Sequence, residues 1–274
     1  MNTSMSEKAL LSSYVPPQEH SPPAYEEVQT KPAHAAISAQ GTPALFPREC
    51  IFTYRLSHSH SYLGAKRDEP LFLVKTPRLL MGTGDILLLS GTDKLDTPLA
   101  SAGALKIRSG STCASQLRLK PRLGGSFTQP MDIDVTVGTK NKYQFTVPVG
   151  PANRPETFEW RQSTGELVRS LAGGFQYGMK LVRLDGPAGG SINSSHDGKV
   201  TVVGGDGKPI VAVFAAMRPQ ANNAKFHFMN EGATGELGEV FELAAMISFI
   251  RLFELQLSQG GVAIGPCFGS VARS

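Results

Sequence analysis

Cysteine, tryptophan and long uncharged runs are all scarce in this sequence, and each shortage removes a class of protein. The three cysteines of the 274-residue chain, Cys50, Cys113 and Cys267, are odd in number and far apart. They offer neither a disulfide framework nor a zinc-ligand spacing, and they read as free thiols of a reducing compartment. The opening stretch, MNTSMSEKALLSSYVPP, has no basic segment followed by an apolar one, so no secretory signal peptide is expected. The Asn193-Ser194-Ser195 sequon is then expected to be idle. These features predict a cytoplasmic protein, at most peripheral on a membrane. Charged residues make up only 18% and the net charge is +4, which permits contact with acidic surfaces without calling for nucleic acid. The basic residues are scattered and lack interleaved exposed aromatics, so no nucleic-acid partner is expected.

Catalytic signatures are missing too. There is no GxSxG elbow, no HExxH pair and no spaced Cys/His cluster. Ser195-His196-Asp197 has the residue types of a hydrolase triad, but consecutive residues cannot reach one another in a relay, and Asp197-Gly198 is a turn dipeptide. Gly204-Gly205-Asp206-Gly207-Lys208 lacks the spacing of a phosphate loop, and Pro209 follows where a helix would have to open. It reads as a hairpin turn. His58 and His60 share a strand face, but two ligands do not make a structural metal site. No metal and no cofactor are expected. An enzymatic role would need an unrecognised site at the mouth of the fold.

What is abundant is Gly (29) and Pro (19) among short apolar runs, a pattern of many strands and turns. Residues 1–45 stand apart. They are rich in Ser, Pro, Ala and Gln, without apolar period, and are expected to be disordered. Lys8 and Lys31 against Glu7, Glu19, Glu26 and Glu27 give this tail −2, and the remaining 25 basic and 19 acidic residues give the rest +6. Within it, Pro22-Pro23-Ala24-Tyr25 matches the PPxY ligand of WW domains. Two prolines preset a polyproline II helix and Tyr25 supplies the aromatic anchor.

From residue 46 strand-like runs follow one another: Glu49–Leu56, Leu71–Lys75, Asp85–Ser90, Ala104–Arg108, Ser115–Lys120, Met131–Val137, Lys142–Val147 and Thr157–Gln162 with the lone Trp160. A Ser163-Thr164-Gly165 turn and the run Glu166–Leu171 come next. Gly178–Asp185, the hairpin Lys199–Val203 with Pro209–Ala216, and Ala224–Asn230 complete the set. In Ser115–Lys120, Leu117 and Leu119 face one way. Arg118 and Lys120, with Arg122 beyond, face the other, which predicts a row of positive charge on a solvent face. Asp132 and Asp134 alternate with Ile133 and Val135 and are expected to point outward.

One long helical segment, 236–259, closes the series. Its centre, Leu243–Ile250, is apolar on every side except Ser248, with Glu239, Glu242, Arg251 and Glu254 bracketing it. Eight uncharged residues fall far short of the roughly 20 that span a bilayer. A helix apolar all round and too short to span is buried. Val240, Leu243, Ala244, Met246, Ile247 and Ile250 are therefore expected to sit in a core enclosed by strands, and residues 260–274 to form a flexible tail.

About twelve strand-like runs followed by one buried helix resemble the tubby C-terminal-like superfamily, which includes tubby, LURP-one-related proteins and phospholipid scramblases. The resemblance rests on that order, on DGKPIVAVFAAMRP (Asp206–Pro219) leading through AKFHFMN, and on the helix. It covers residues 46–259. The proline-rich tail resembles that of fungal members. The resemblance implies a closed antiparallel β-barrel of about twelve strands around the central helix. It also implies a non-enzymatic interaction protein whose PPxY tail recruits a WW-domain partner such as a HECT-type ubiquitin ligase. The alternative it implies is a peripheral membrane protein binding anionic phospholipid, phosphoinositide above all, through basic barrel residues, for which Arg118, Lys120 and Arg122 are the candidates. The chain lacks the scramblase cysteine cluster and an Asp-rich calcium-binding run, which speaks against calcium-driven scrambling.

Overall fold

In the strands, inward apolar residues alternate with outward polar ones. In Lys142–Val149, for example, Tyr143, Phe145, Val147 and Val149 are buried, while Gln144, Thr146 and Pro148 remain half-exposed. A computed structural model describes residues 44–55, 58–76, 84–109, 112–122, 125–134, 142–173, 178–185, 201–217 and 223–258. Pro22, Pro23, Tyr25, Ser195-His196-Asp197, the sequon, the tail 1–43 and the segment 259–274 lie outside the described residues, as do the side chains of Asp132 and Asp134.

Among the described residues there are thirteen strands: β1 (Glu49–Thr53), β2 (His60–Lys66), β3 (Glu69–Lys75), β4 (Ile86–Leu89), β5 (Pro98–Ala102), β6 (Lys106–Ser109), β7 (Thr112–Leu119), β8 (Phe127–Asp134), β9 (Lys142–Val149), β10 (Arg154–Ser163), β11 (Gly178–Arg183), β12 (Ile210–Ala216) and β13 (Asn223–Phe228). Three helices join them: α1 (Glu166–Leu171), α2 (Asn230–Thr234) and α3 (Glu239–Ser258). All pairings are antiparallel. They run in order from β1 to β5, cross from β5 to β7, continue to β13, and return from β13 to β1. Twelve strands thus form a nearly closed antiparallel barrel. β6 stands outside the ring. It pairs with the first part of β7 (Thr112–Ala114), while β5 pairs with the last (Leu117–Leu119).

α3 fills the barrel. Every residue from Phe241 to Gln256 is buried, and Phe249 packs against Phe52, Phe214 and Phe226 with ring centroids 4.9–6.0 Å apart. Leu243, Ala244, Met246, Ile247 and Ile250 lie in this core as expected, while Val240 is half-buried at its edge. The helix begins at Glu239 rather than Glu236. Gly235 (φ 79°) ends α2 in the left-handed conformation, and Gly238 (φ 84°) turns the chain again before the first α3 bond, Glu242 N–H to Gly238 C=O. Leu237 between them is pulled into the core.

Further differences from the sequence reading have local causes. The run Glu166–Leu171 is helix α1, which lies on the outer face of β12. There Val168 and Ala172 pack on Val213 and Ala215, so residues 210–215 are buried on both faces. β2 and β5 are strands that sequence did not announce. β2 is interrupted by Gly64, where the register shifts, and β5 is PLASA, with little intrinsic β preference. Neighbouring strands impose their state. The turn 204–208 is present, with Gly204 N–H donating to Lys208 C=O at 2.8 Å, but among the described residues its first arm is a single bridge, Val203 to Pro209.

Candidate functional site

Three places concentrate polar chemistry: the helix interior, the barrel mouth at the start of α3, and the outer basic row. Inside, the charges expected to bracket the helix are buried with it. Arg251 and Glu254 are both fully buried and pair at 2.6 Å. Arg251 Nη2 also donates to the carbonyls of Gly84 (2.6 Å), Ala102 (2.8 Å) and Gly103 (2.9 Å). These carbonyls belong to β5 and the two segments beside it, so the guanidinium ties the helix to the wall. Burial lowers the Arg251 pKa and the Glu254 charge opposes that. Tyr54 lies beside the pair, its phenol pushed up to about 12 by burial and then by Glu254. One turn earlier, Ser248 Oγ accepts the Trp160 indole N–H at 2.9 Å.

At the mouth, the first turn of α3 presents two carboxylates. Glu239 Oε1 accepts the Arg122 backbone N–H (2.8 Å) and its Nε (3.3 Å). Glu242 Oε2 accepts the Leu45 N–H at 2.8 Å. Burial raises the Glu242 pKa, opposed by the Leu45 and Phe46 amides. Two clefts flank this turn. One, of about 210 Å³, is lined by Leu45, Pro121, Gly150, Gly238, Glu239 and Glu242. The other, of about 240 Å³, is lined by Arg154, Glu156, Arg183, Glu231 and Glu236. Within the second, Arg183 holds Glu156 through two bonds of 2.5 and 2.7 Å. The mouth carboxylates Glu156, Glu239 and Glu242 are thus engaged in holding the chain.

Arg118, Lys120 and Arg122 are all exposed, while Leu117 and Leu119 are buried behind them. Two of the three cations meet carboxylates: Arg118 Nη1 lies 3.6 Å from Asp85, and Arg122 bonds Glu239. Sequence alone did not show this, because Asp85 and Glu239 are distant in the chain. His58 and His60 do lie side by side, with ring centroids 5.8 Å apart. Among the described residues no three His, Cys, Asp or Glu side chains converge as a metal site. The Cys50 thiol is buried and pushed up to about 12, by burial and then by Glu49. No helix among the described residues is long and apolar enough to cross a membrane.

Comparison with family models, curated proteins and solved structures finds no match.

Proposed function

We propose that this chain is a non-enzymatic interaction protein of the tubby C-terminal-like kind, in which Pro22, Pro23 and Tyr25 recruit a WW-domain partner, a HECT-type ubiquitin ligase being the chemical type that fits. The observation that carries the reading is the filled barrel. α3 occupies the interior with aromatic and aliphatic side chains, so recognition falls to the outer surface and to sequence motifs outside the barrel. The strand order around a buried C-terminal helix supports the superfamily assignment. The proline pair with an aromatic anchor supports the WW ligand. A cytoplasmic setting goes with this reading.

The test is binding of the full chain to an isolated WW domain by fluorescence anisotropy. Wild type is expected to bind and Tyr25→Ala to lose binding. Equal binding by the two would sink the tail's role.

A second reading is peripheral docking on anionic lipid through Arg118, Lys120 and Arg122, favoured by their common exposure. Each basic residue near such a surface contributes about 1 kcal/mol. With Asp85 and Glu239 competing for two of the three, only weak, salt-sensitive docking is expected. Flotation with phosphoinositide vesicles at low and high salt distinguishes it. Absence of binding at low salt removes it.

A further inference from the structure

A second basic cluster lies on the β1–β3 wall and the adjoining β4–β5 turn. His58, His60 and Tyr62 follow one another along β2 and the residues just before it. The His58 and His60 ring centroids are 5.8 Å apart at 72°, and those of His60 and Tyr62 are 6.2 Å apart at 90°. The Arg55 guanidinium lies over the Tyr62 ring, 5.0 Å from its centroid. From β3, Lys75 stands opposite His60, and its Nζ donates to the Lys94 carbonyl at 2.9 Å, which brings the β4–β5 turn alongside. Arg55, His58 and Lys94 are exposed, and His60, Tyr62 and Lys75 half-buried. Burial, Lys94, His58 and Arg55 together hold the His60 pKa below its ordinary value.

The acids nearby are otherwise engaged. Asp96 Oδ2 accepts the Asp93 N–H at 2.7 Å, and Asp93 Oδ1 accepts the Leu95 N–H at 2.9 Å, so both carboxylates hold their own turn. Glu69 pairs with Lys66 at the far end of the hairpin, and Glu49 lies 3.8 Å from His227. Among the described residues, no carboxylate forms an ion pair with Arg55, Lys75 or Lys94.

We propose that Arg55, His58, His60, Lys75 and Lys94 form a binding site for a phosphate monoester carried on a peptide segment of a partner protein. A dianion is met there by a guanidinium, two imidazoles and ammonium groups at once, each bond charge-assisted. A flat anionic bilayer is a poorer match than a point dianion, because Asp93 and Asp96 flank Lys94 in its turn and would face the same headgroups. Arg55, His58 and Lys94 are exposed, which leaves room for the chain that bears the phosphate. Leu95, beside Lys94 and 94% exposed, offers that chain an apolar contact. The proposal uses none of the WW-motif residues and stands apart from that reading.

The experiment titrates the full chain with four probes: an end-blocked phosphoserine-leucine peptide, its unphosphorylated twin, inorganic phosphate, and phosphatidylserine-containing vesicles. Affinity is read by calorimetry and site occupancy by the imidazole NMR signals. The phosphopeptide is expected to bind and shift the signals of His58 and His60. Arg55→Ala and Lys94→Ala are expected to weaken it roughly tenfold each, while Arg118→Ala leaves it unchanged. These positions are on the surface, and Trp160 emission reports that each variant folds. Four results would overturn the proposal: equal binding of the unphosphorylated twin, inorganic phosphate binding as tightly as the peptide, vesicles binding where the peptide does not, or no binding by any probe.

Discussion

Arg251 couples the helix to the wall through three hydrogen bonds and pairs with Glu254 one turn further along the same helix. Removing one member of a buried pair leaves a charge in low dielectric, whereas removing both leaves an apolar gap that packing can fill. Arg251→Met is therefore expected to cost about 3–5 kcal/mol in urea unfolding. The double variant with Glu254→Met is expected to recover much of that loss, although the three carbonyls still lose a donor. A double variant no better than the single would show that the carbonyl bonds, not the ion pair, carry the effect. Glu242 has the opposite electrostatic sense. Its carboxyl is held above its ordinary 4.5 by burial, so between that value and the folded one the native state binds more protons than the unfolded chain. Stability contributed by this group is thus complete at lower pH and falls as pH rises through that window. Glu242→Gln keeps an acceptor for the Leu45 N–H and is expected to flatten the slope, read as urea midpoints across pH 4–7. A slope unchanged by the substitution would assign it to another group.

At the scale of elements, two glycines decide where α3 begins. Gly238 holds φ 84°, a region that costs an L-residue roughly 1–2 kcal/mol, whereas Gly205 has ordinary φ and open space around it. Gly238→Ala is expected to lower stability by about 1 kcal/mol and Gly205→Ala to leave it within a few tenths, measured by thermal unfolding. Equal effects would contradict the cap geometry. Most strands were legible from alternation, as in β9, and α3 from its apolar run. The start of α3 was misplaced by three residues because Glu236 and Leu237 suit a helix and only the backbone turn at Gly238 excludes them. β2 and β5 were illegible because Gly64 and the small residues of PLASA carry no period, and their strand state comes from pairing on both sides. Of the candidate residues, the exposure of Arg118, Lys120 and Arg122 was readable from alternation, but their partners were not. Asp85 reaches Arg118 across the sheet and Glu239 reaches Arg122 from the central helix. The Arg55–Lys94 cluster was likewise hidden, since it draws on β2, β3 and the β4–β5 turn.

At the scale of the whole molecule, barrel and helix share one hydrophobic core. Phe158, Trp160, Phe214 and Phe226 point at α3, and without it they would line an empty interior. A chain ended at Gly238 is expected to lose its cooperative calorimetric transition and its near-ultraviolet dichroism. Retention of both would show that the wall is stable without its filling. Sequence by itself determined that this is a strand-rich chain with one helix too short and too closely flanked by charge to span a bilayer, because alternation, turn residues and run length are local properties. Only the tertiary structure decided that the flanking charges go inside with the helix. A buried guanidinium is tolerable where three carbonyls and a carboxylate converge on it, and while Glu254 is three residues away, the carbonyls come from segments 148 to 167 residues away in the chain. The same long-range assembly decided which surface cations are left to meet a partner, since an ion pair depends on distance in space and not on order in the chain.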